Sequence, residues 1–152
     1  MSNSAHEILK DSIVIDCLFH GLFEDVPVEA DDKITIVDLL LNGGVTAISD
    51  TMLDDNYPSG LAAAVKTMYN YYLLEDTLPN QVIIVKNSKD IVEAKKTGKL
   101  AVIMSTQGAD VFEHDLRYIS ALSKLNLKIV QLTYNHQGNL GPWRRSGLPV
   151  LA

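Results

Sequence analysis

The chain alternates short β-branched apolar runs with longer stretches whose apolar residues recur at helical spacing. That alternation predicts a parallel α/β architecture with strands buried on both faces. SIVID at 12–16 is the first predicted strand and ends in a carboxylate, and a polar, acidic stretch containing Pro27 follows as loop. From Asp31 and Asp32, whose charges suit the positive end of a helix, Ile34, Val37 and Leu41 keep near-helical spacing until Asn42-Gly43-Gly44 ends the pattern. Propensity alone would equally allow a strand at 34–37. VTAISD at 45–50 predicts the second strand, and after Pro58, Ser59 is placed to cap a helix carrying Leu61, Val65, Met68 and Tyr72 on one face. QVIIV at 81–85 predicts a third strand. Ser88 and Asp90 open the next helix, Lys95 and Lys96 sit near its negative end, and Gly98 supplies a left-handed stop. LAVIMS at 100–105 predicts a fourth strand, a helix with Leu116, Ile119 and Leu122 follows, and KIVQLTY at 128–134 predicts a fifth. Asn126 lies between helix and strand, where tolerance of positive φ is useful.

Two architectures share this order. A five-stranded doubly wound α/β domain has about this length, whereas a closed (β/α)8 barrel typically needs about 250 residues, so length alone favours the open sheet. Either way the chemistry belongs at the carboxyl ends of the strands: Asp16 to His20, Asp50 to Met52, Ser105 to Asp110 and Thr133 to Asn139.

Composition narrows the functions. With 152 residues, 47% of them hydrophobic and 21% charged, the chain can bury a sizeable core. A net charge of −6 argues against nucleic acid as a partner, since the lone pair Arg144-Arg145 is too short a basic patch. A single cysteine, Cys17, forms no internal disulfide, and a reducing cytoplasm is the expected setting. The opening MSNSAHEILKDS has no apolar signal region, and no segment approaches the roughly 18 apolar residues of a membrane span. Membrane association is not expected.

A nucleotide site needs a glycine-rich turn from a strand into a helix, and none is present: Asn42-Gly43-Gly44 lies on the wrong side of its strand, and Gln107-Gly108-Ala109 has one glycine. Metal-assisted hydrolysis finds an incomplete donor set in Asp16, His20 and Gln107. Taken alone, His20 reads as a loop histidine, and Asp50, Asp54 and Asp55 as a solvated loop without a calcium pattern. Cys17 reads as a buried thiol packing as a small apolar residue rather than as a nucleophile. No catalytic residue is assigned.

The segment VEAKKTGKLAVIMSTQGADVFEHDLRYISALSKLNLKIVQLTYN resembles the renal (membrane) dipeptidase family of zinc peptidases. There a helix ending in Gly-Lys leads to an apolar strand, a Glu-Gly turn, a helix, and a strand closing on Leu-Thr-His-Asn. Order and spacing match over 88–135, while DSIVIDCLFHG and LLLNGGVTAIS resemble the family's first strand and second unit more weakly. The resemblance implies a (β/α)8 barrel of the amidohydrolase type that cleaves dipeptides with zinc, one or two ions in the complete site. It reverses the length argument, implying that the chain is the N-terminal portion of a TIM-type barrel, about five parallel strands alternating with helices. On this view residues 1–141 form the partial barrel domain and 142–152 a divergent tail.

The departures bear on activity. With Asp16 placed on the family aspartate that precedes the metal-binding His-x-Asp pair, the two pair positions hold Leu18 and His20. The bridging glutamate corresponds to Gln107, whose neutral amide cannot balance two divalent ions. The substrate-contacting histidine corresponds to Tyr134, and the adjacent Asn135 matches. The expected metal residues are therefore Asp16, His20 and Gln107, and the expected contacts to a small peptide substrate are Tyr134 and Asn135. The chain is expected to be weakly active or inactive, with a chain holding no metal, or a non-catalytic α/β domain binding a small ligand, as the alternatives. The tail GPWRRSGLPVLA leaves the family pattern after Gly141, as a truncated or frame-shifted reading frame would. Unpaired barrel edges are expected to promote self-association.

Overall fold

A computed structural model describes residues 5–23, 34–52 and 60–134. Its order is α1 (Ala5–Asp11), β1 (Ile15–Phe19), α2 (Ile36–Asn42), β2 (Ala47–Thr51), α3 (Leu61–Thr77), β3 (Val82–Ile84), α4 (Ser88–Thr97), β4 (Leu100–Thr106), α5 (Arg117–Lys124) and β5 (Leu127–Val130), with a 3-10 turn at Asp110–Phe112 before α5. Every strand pairing is parallel. The sheet therefore presents all its carboxyl ends along one edge.

Strand order separates the two expected architectures. β1 pairs with β2, β2 with β4, and β4 with β5, while short β3 shares that last edge of β4, occupying Leu100–Val102 below β5. A doubly wound sheet reverses direction around an interior first strand. Here β1 is an edge and the path β1-β2-β4-β5 moves one way, as in a barrel wall. β3 is an addition to that wall, and its outer side is blunted because Glu75 Oε1 accepts the Ile84 amide at 2.8 Å.

Strands β2 and β4 are buried along their whole length, as expected of central parallel strands. One sheet face carries Ile48, Val102 and Met104 against Val37 of α2, Met68 and Tyr71 of α3 and Leu122 of α5. The other carries Ala47, Ala101 and Ile103, packed with Ala94 of α4. Strand β1 is mostly exposed, so Cys17 is an exposed thiol and not the buried residue expected. Edge position explains this: a strand with one neighbour has half its contacts.

Local signals set most boundaries. Thr35 caps α2 in a reciprocal box with Asp38, so the ambiguous 34–37 stretch is a helix start. Asn87, one residue before the expected Ser88, caps α4 through the same box with Asp90. Ser59 lies outside the described residues, and Gly60 precedes α3. The buried stripe of α3 is Ala64, Met68 and Tyr71, rotated from the expected face, and Val65 is exposed. β1 starts three residues later than expected, and β5 covers only the first part of KIVQLTY. Asn126 has φ 71, as expected between helix and strand. Gly98 closes α4 at φ 70 with open space where a Cβ would lie. Gly98→Ala should therefore lower stability by about 1 kcal/mol through backbone strain alone, with Gly98→Asn losing less, measurable by urea unfolding.

Candidate functional site at the carboxyl edge

One row of Cα partners crosses the sheet through Phe19, Asp50, Met104 and Leu127. Above it lie His20, Thr51, Ser105 to Gln107, and the segment leading to Tyr134. Alternation along the strands divides these by face. Thr51 and Ser105 are partners in register and continue the side of Ala47 and Ala101. Ser49 and Thr51 are both buried there, and their hydroxyl oxygens have no hydrogen-bond partner. Ser105 Oγ donates to the Asp50 carbonyl at 2.8 Å, and the Met52 amide donates to the Ser105 carbonyl at 2.8 Å, tying the ends of β2 and β4 together. Thr106 Oγ1 donates to the Gly108 carbonyl at 2.8 Å, folding the turn that carries half-buried Gln107.

On the face covered by α2, α3 and α5 stands the group that sequence reading placed in a solvated loop. Asp50 is only 1% exposed. Tyr71 Oη of α3 donates to its Oδ2 at 2.5 Å, Phe23 packs edge-on against the Tyr71 ring at 4.9 Å between centroids, and Asp50 Oδ1 has no hydrogen-bond partner. Burial pushes the Asp50 carboxyl up to about 6, only partly offset by the Tyr71 hydrogen bond, the charge of nearby His20, and the amides of Leu22 and Thr51. Burial first, then the carboxylate, raises the Tyr71 hydroxyl far above its ordinary range. Asp54 and Asp55 lie outside the described residues. The sequence signal for Asp50 was its place as the last letter of VTAISD, inside a strand buried on both faces.

The expected site residues separate. His20 directly follows β1 and Gln107 directly follows β4, so both belong to the carboxyl edge. Asp16 is the second residue of β1, and because its register partner Ile48 lies two residues before Asp50, the partner of Phe19, it sits roughly 7 Å below that edge at the rise of a strand. Its Oδ1 accepts the Leu18 amide at 3.0 Å, and it pairs in register with Ile48. Tyr134 is exposed beyond β5, and Asn135 lies outside the described residues. Leu18 is the fourth residue of β1 and is 63% exposed. Among the described residues no three His, Cys, Asp or Glu side chains come together to hold an ion. One imidazole and one carboxamide separated by β2 do not make the donor set of a two-metal centre, which needs an anionic bridge to offset the charge of the ions. The described residues do not fit a paired zinc site.

A one-way parallel wall with its polar groups at the strand carboxyl ends defines a partial TIM-like barrel. The membrane dipeptidase family (peptidase family M19) matches residues 3–143, and the chain belongs to that family. A search of the curated proteins gives no match. Among solved structures, an amidohydrolase from Pseudomonas aeruginosa is 29% identical with a TM-score of 0.75, covering 95% of this chain and 42% of its own. The probable dipeptidase PvdM from Pseudomonas aeruginosa is 16% identical with a TM-score of 0.62, over 86% of this chain and 36% of its own. Dipeptidase AC, a metallopeptidase, is 14% identical with a TM-score of 0.61, over 80% of this chain and 43% of its own. The last two likenesses concern the fold alone. The chain spans about two fifths of the length of these solved relatives.

Proposed function

We propose that this chain is a dipeptidase-like protein with an altered metal centre, which binds small peptides at the carboxyl edge but hydrolyses them weakly or not at all. One observation carries the reading: Leu18 and Gln107 occupy the strand-end positions where the family resemblance calls for ligands. Leucine has no donor atom, and a carboxamide donates a neutral oxygen only. Tyr134, exposed past β5, offers a hydroxyl to a substrate carbonyl or carboxylate, with Asn135 next in the chain. The two unpartnered hydroxyls of Ser49 and Thr51 support a polar floor beneath that edge. A free thiol exposed on β1 suits a reducing compartment, so the cytoplasm is part of the proposal.

The purified 152-residue chain is expected to hold less than one equivalent of zinc after dialysis against a weak chelator and to show dipeptide turnover at background. Metal analysis beside a dipeptide hydrolysis assay checks this. Stoichiometric zinc together with efficient cleavage would overturn it. Calorimetric titration with a non-hydrolysed dipeptide should show binding that Tyr134→Ala weakens about tenfold, the size of one lost hydrogen bond.

A further inference from the structure

We infer that the Tyr71–Asp50 pair clamps the segment that follows β1 onto the core and so positions the His20 imidazole at the carboxyl edge. The clamp lies between β1, β2 and α3, where every contact it needs is made within the chain. Its use, presenting an imidazole N–H to an acceptor oxygen of a small peptide, rests on the function proposed above.

The segment is pinned on both sides of His20. Before it, Phe19 is the register partner of Asp50 and packs against the main core. After it, Gly21 turns the chain at φ 106, a conformation that residues with a side chain rarely adopt. Leu22 is then 6% exposed and part of the same core, and Phe23 sets its ring edge-on against Tyr71. Tyr71 Oη in turn donates to Asp50 Oδ2. Burial raises the Asp50 carboxyl, and the Tyr71 hydroxyl, the His20 charge and the Leu22 amide each work against that. His20 is therefore held on a short bridge between two anchored points.

Packing alone does not call for a carboxyl here. Ile48, two residues earlier on the same face of β2, meets the same core with hydrocarbon only. Asp50 is 1% exposed and leaves Oδ1 without a hydrogen-bond partner, which costs stability. What a carboxyl supplies is direction. One oxygen fixes the Tyr71 hydroxyl, and the charge draws in the polar end of the segment, its amide and its imidazole, which an apolar residue would leave free to slide. A costly buried polar group behind a candidate site is what a device kept for placement, and not for stability, looks like.

Tyr71→Phe removes the hydroxyl and keeps the ring, and Phe23→Ala removes the ring contact and leaves Asp50 and Tyr71 in place. In native-state amide exchange followed by NMR, each should speed exchange at Leu22 and Phe23 about tenfold or more, while β2 and β4 keep their protection. In both variants the His20 Hε1 resonance should move toward its position in the unfolded chain. A dipeptide titration tells positioning from packing: His20→Ala and Tyr71→Phe should each weaken binding. The double variant should bind no more weakly than His20→Ala alone, because Tyr71 acts through His20. Free exchange of Leu22 and Phe23 in the wild type, a loss of protection shared equally by β2 and β4, an unmoved His20 resonance, or additive losses in the double variant would each overturn the inference. If the wild type binds no dipeptide, the proposed function fails, and the exchange rates and the His20 resonance still decide the clamp.

Discussion

Asp50→Asn is expected to gain about 2–3 kcal/mol of stability relative to the wild type as the pH rises from 4 to 7.5, read as the change in the difference between their urea unfolding free energies. The folded protein holds the Asp50 carboxyl near pKa 6, against an ordinary value of 3.8. A carboxyl with a raised folded pKa takes up its proton more readily in the folded state than in the unfolded one. Wild-type stability from this group is therefore greatest below about pH 4, falls between about 4 and 6, and is flat above. Asparagine cannot ionise, so the variant lacks that fall, and any fixed effect of the altered hydrogen bonding cancels in the comparison of the two pH values. The cause is geometric: a carboxylate covered by α3 has one good donor, Tyr71 Oη, and an oxygen with none. A difference that stays constant with pH would mean that the ionised carboxylate is fully compensated in the fold.

Asp50 also shows where sequence reading stops. Its neighbours in the chain, Thr51 to Asp55, are polar enough to suggest solvent, whereas its burial depends on Tyr71, twenty-one residues away on a helix whose buried face no local pattern fixed. Strands β2 and β4 were legible because their continuous apolar runs leave little alternative, and α4 because Asn87, Asp90 and Gly98 punctuate both ends. Edge elements were less legible. Leucine and isoleucine in β1 and β5 promise burial, but the wall offers them neighbours on one side only, and so Cys17 is exposed. The candidate site was read from resemblance rather than pattern: nothing in STQGAD singles out Gln107 until the family turn supplies a carboxylate for comparison. The structure then adds what resemblance could not, setting Asp16 two rungs below the carboxyl edge and leaving His20 and Gln107 on either side of β2.

Leu122→Ala should destabilise the protein by about 2–5 kcal/mol, while Leu116→Ala and Ile119→Ala should each change stability by less than about 1 kcal/mol. The three leucine and isoleucine positions form one apparent apolar face in the sequence. In the structure only Leu122 is buried, and Leu116 and Ile119 are exposed. Helix α5 has eight residues, too few for independent stability, so its helical state depends on Leu122 in the main core, on half-buried Tyr118 packed against that core, and on its C-terminal tether. The tether is polar: Tyr72 Oη donates to the Leu125 carbonyl at 2.9 Å and accepts from Asn126 Nδ2 at 2.9 Å. Removing Leu122 leaves a cavity between α5 and the sheet that the short helix can fill only by pulling on this tether and on β5, which begins at Leu127. Native-state amide exchange should accordingly show α5 and β5 losing protection together in Leu122→Ala, while β2 keeps its own. If α5 opened alone and β5 stayed protected, the edge strand would be held by its pairing with β4 and not by the helix that precedes it.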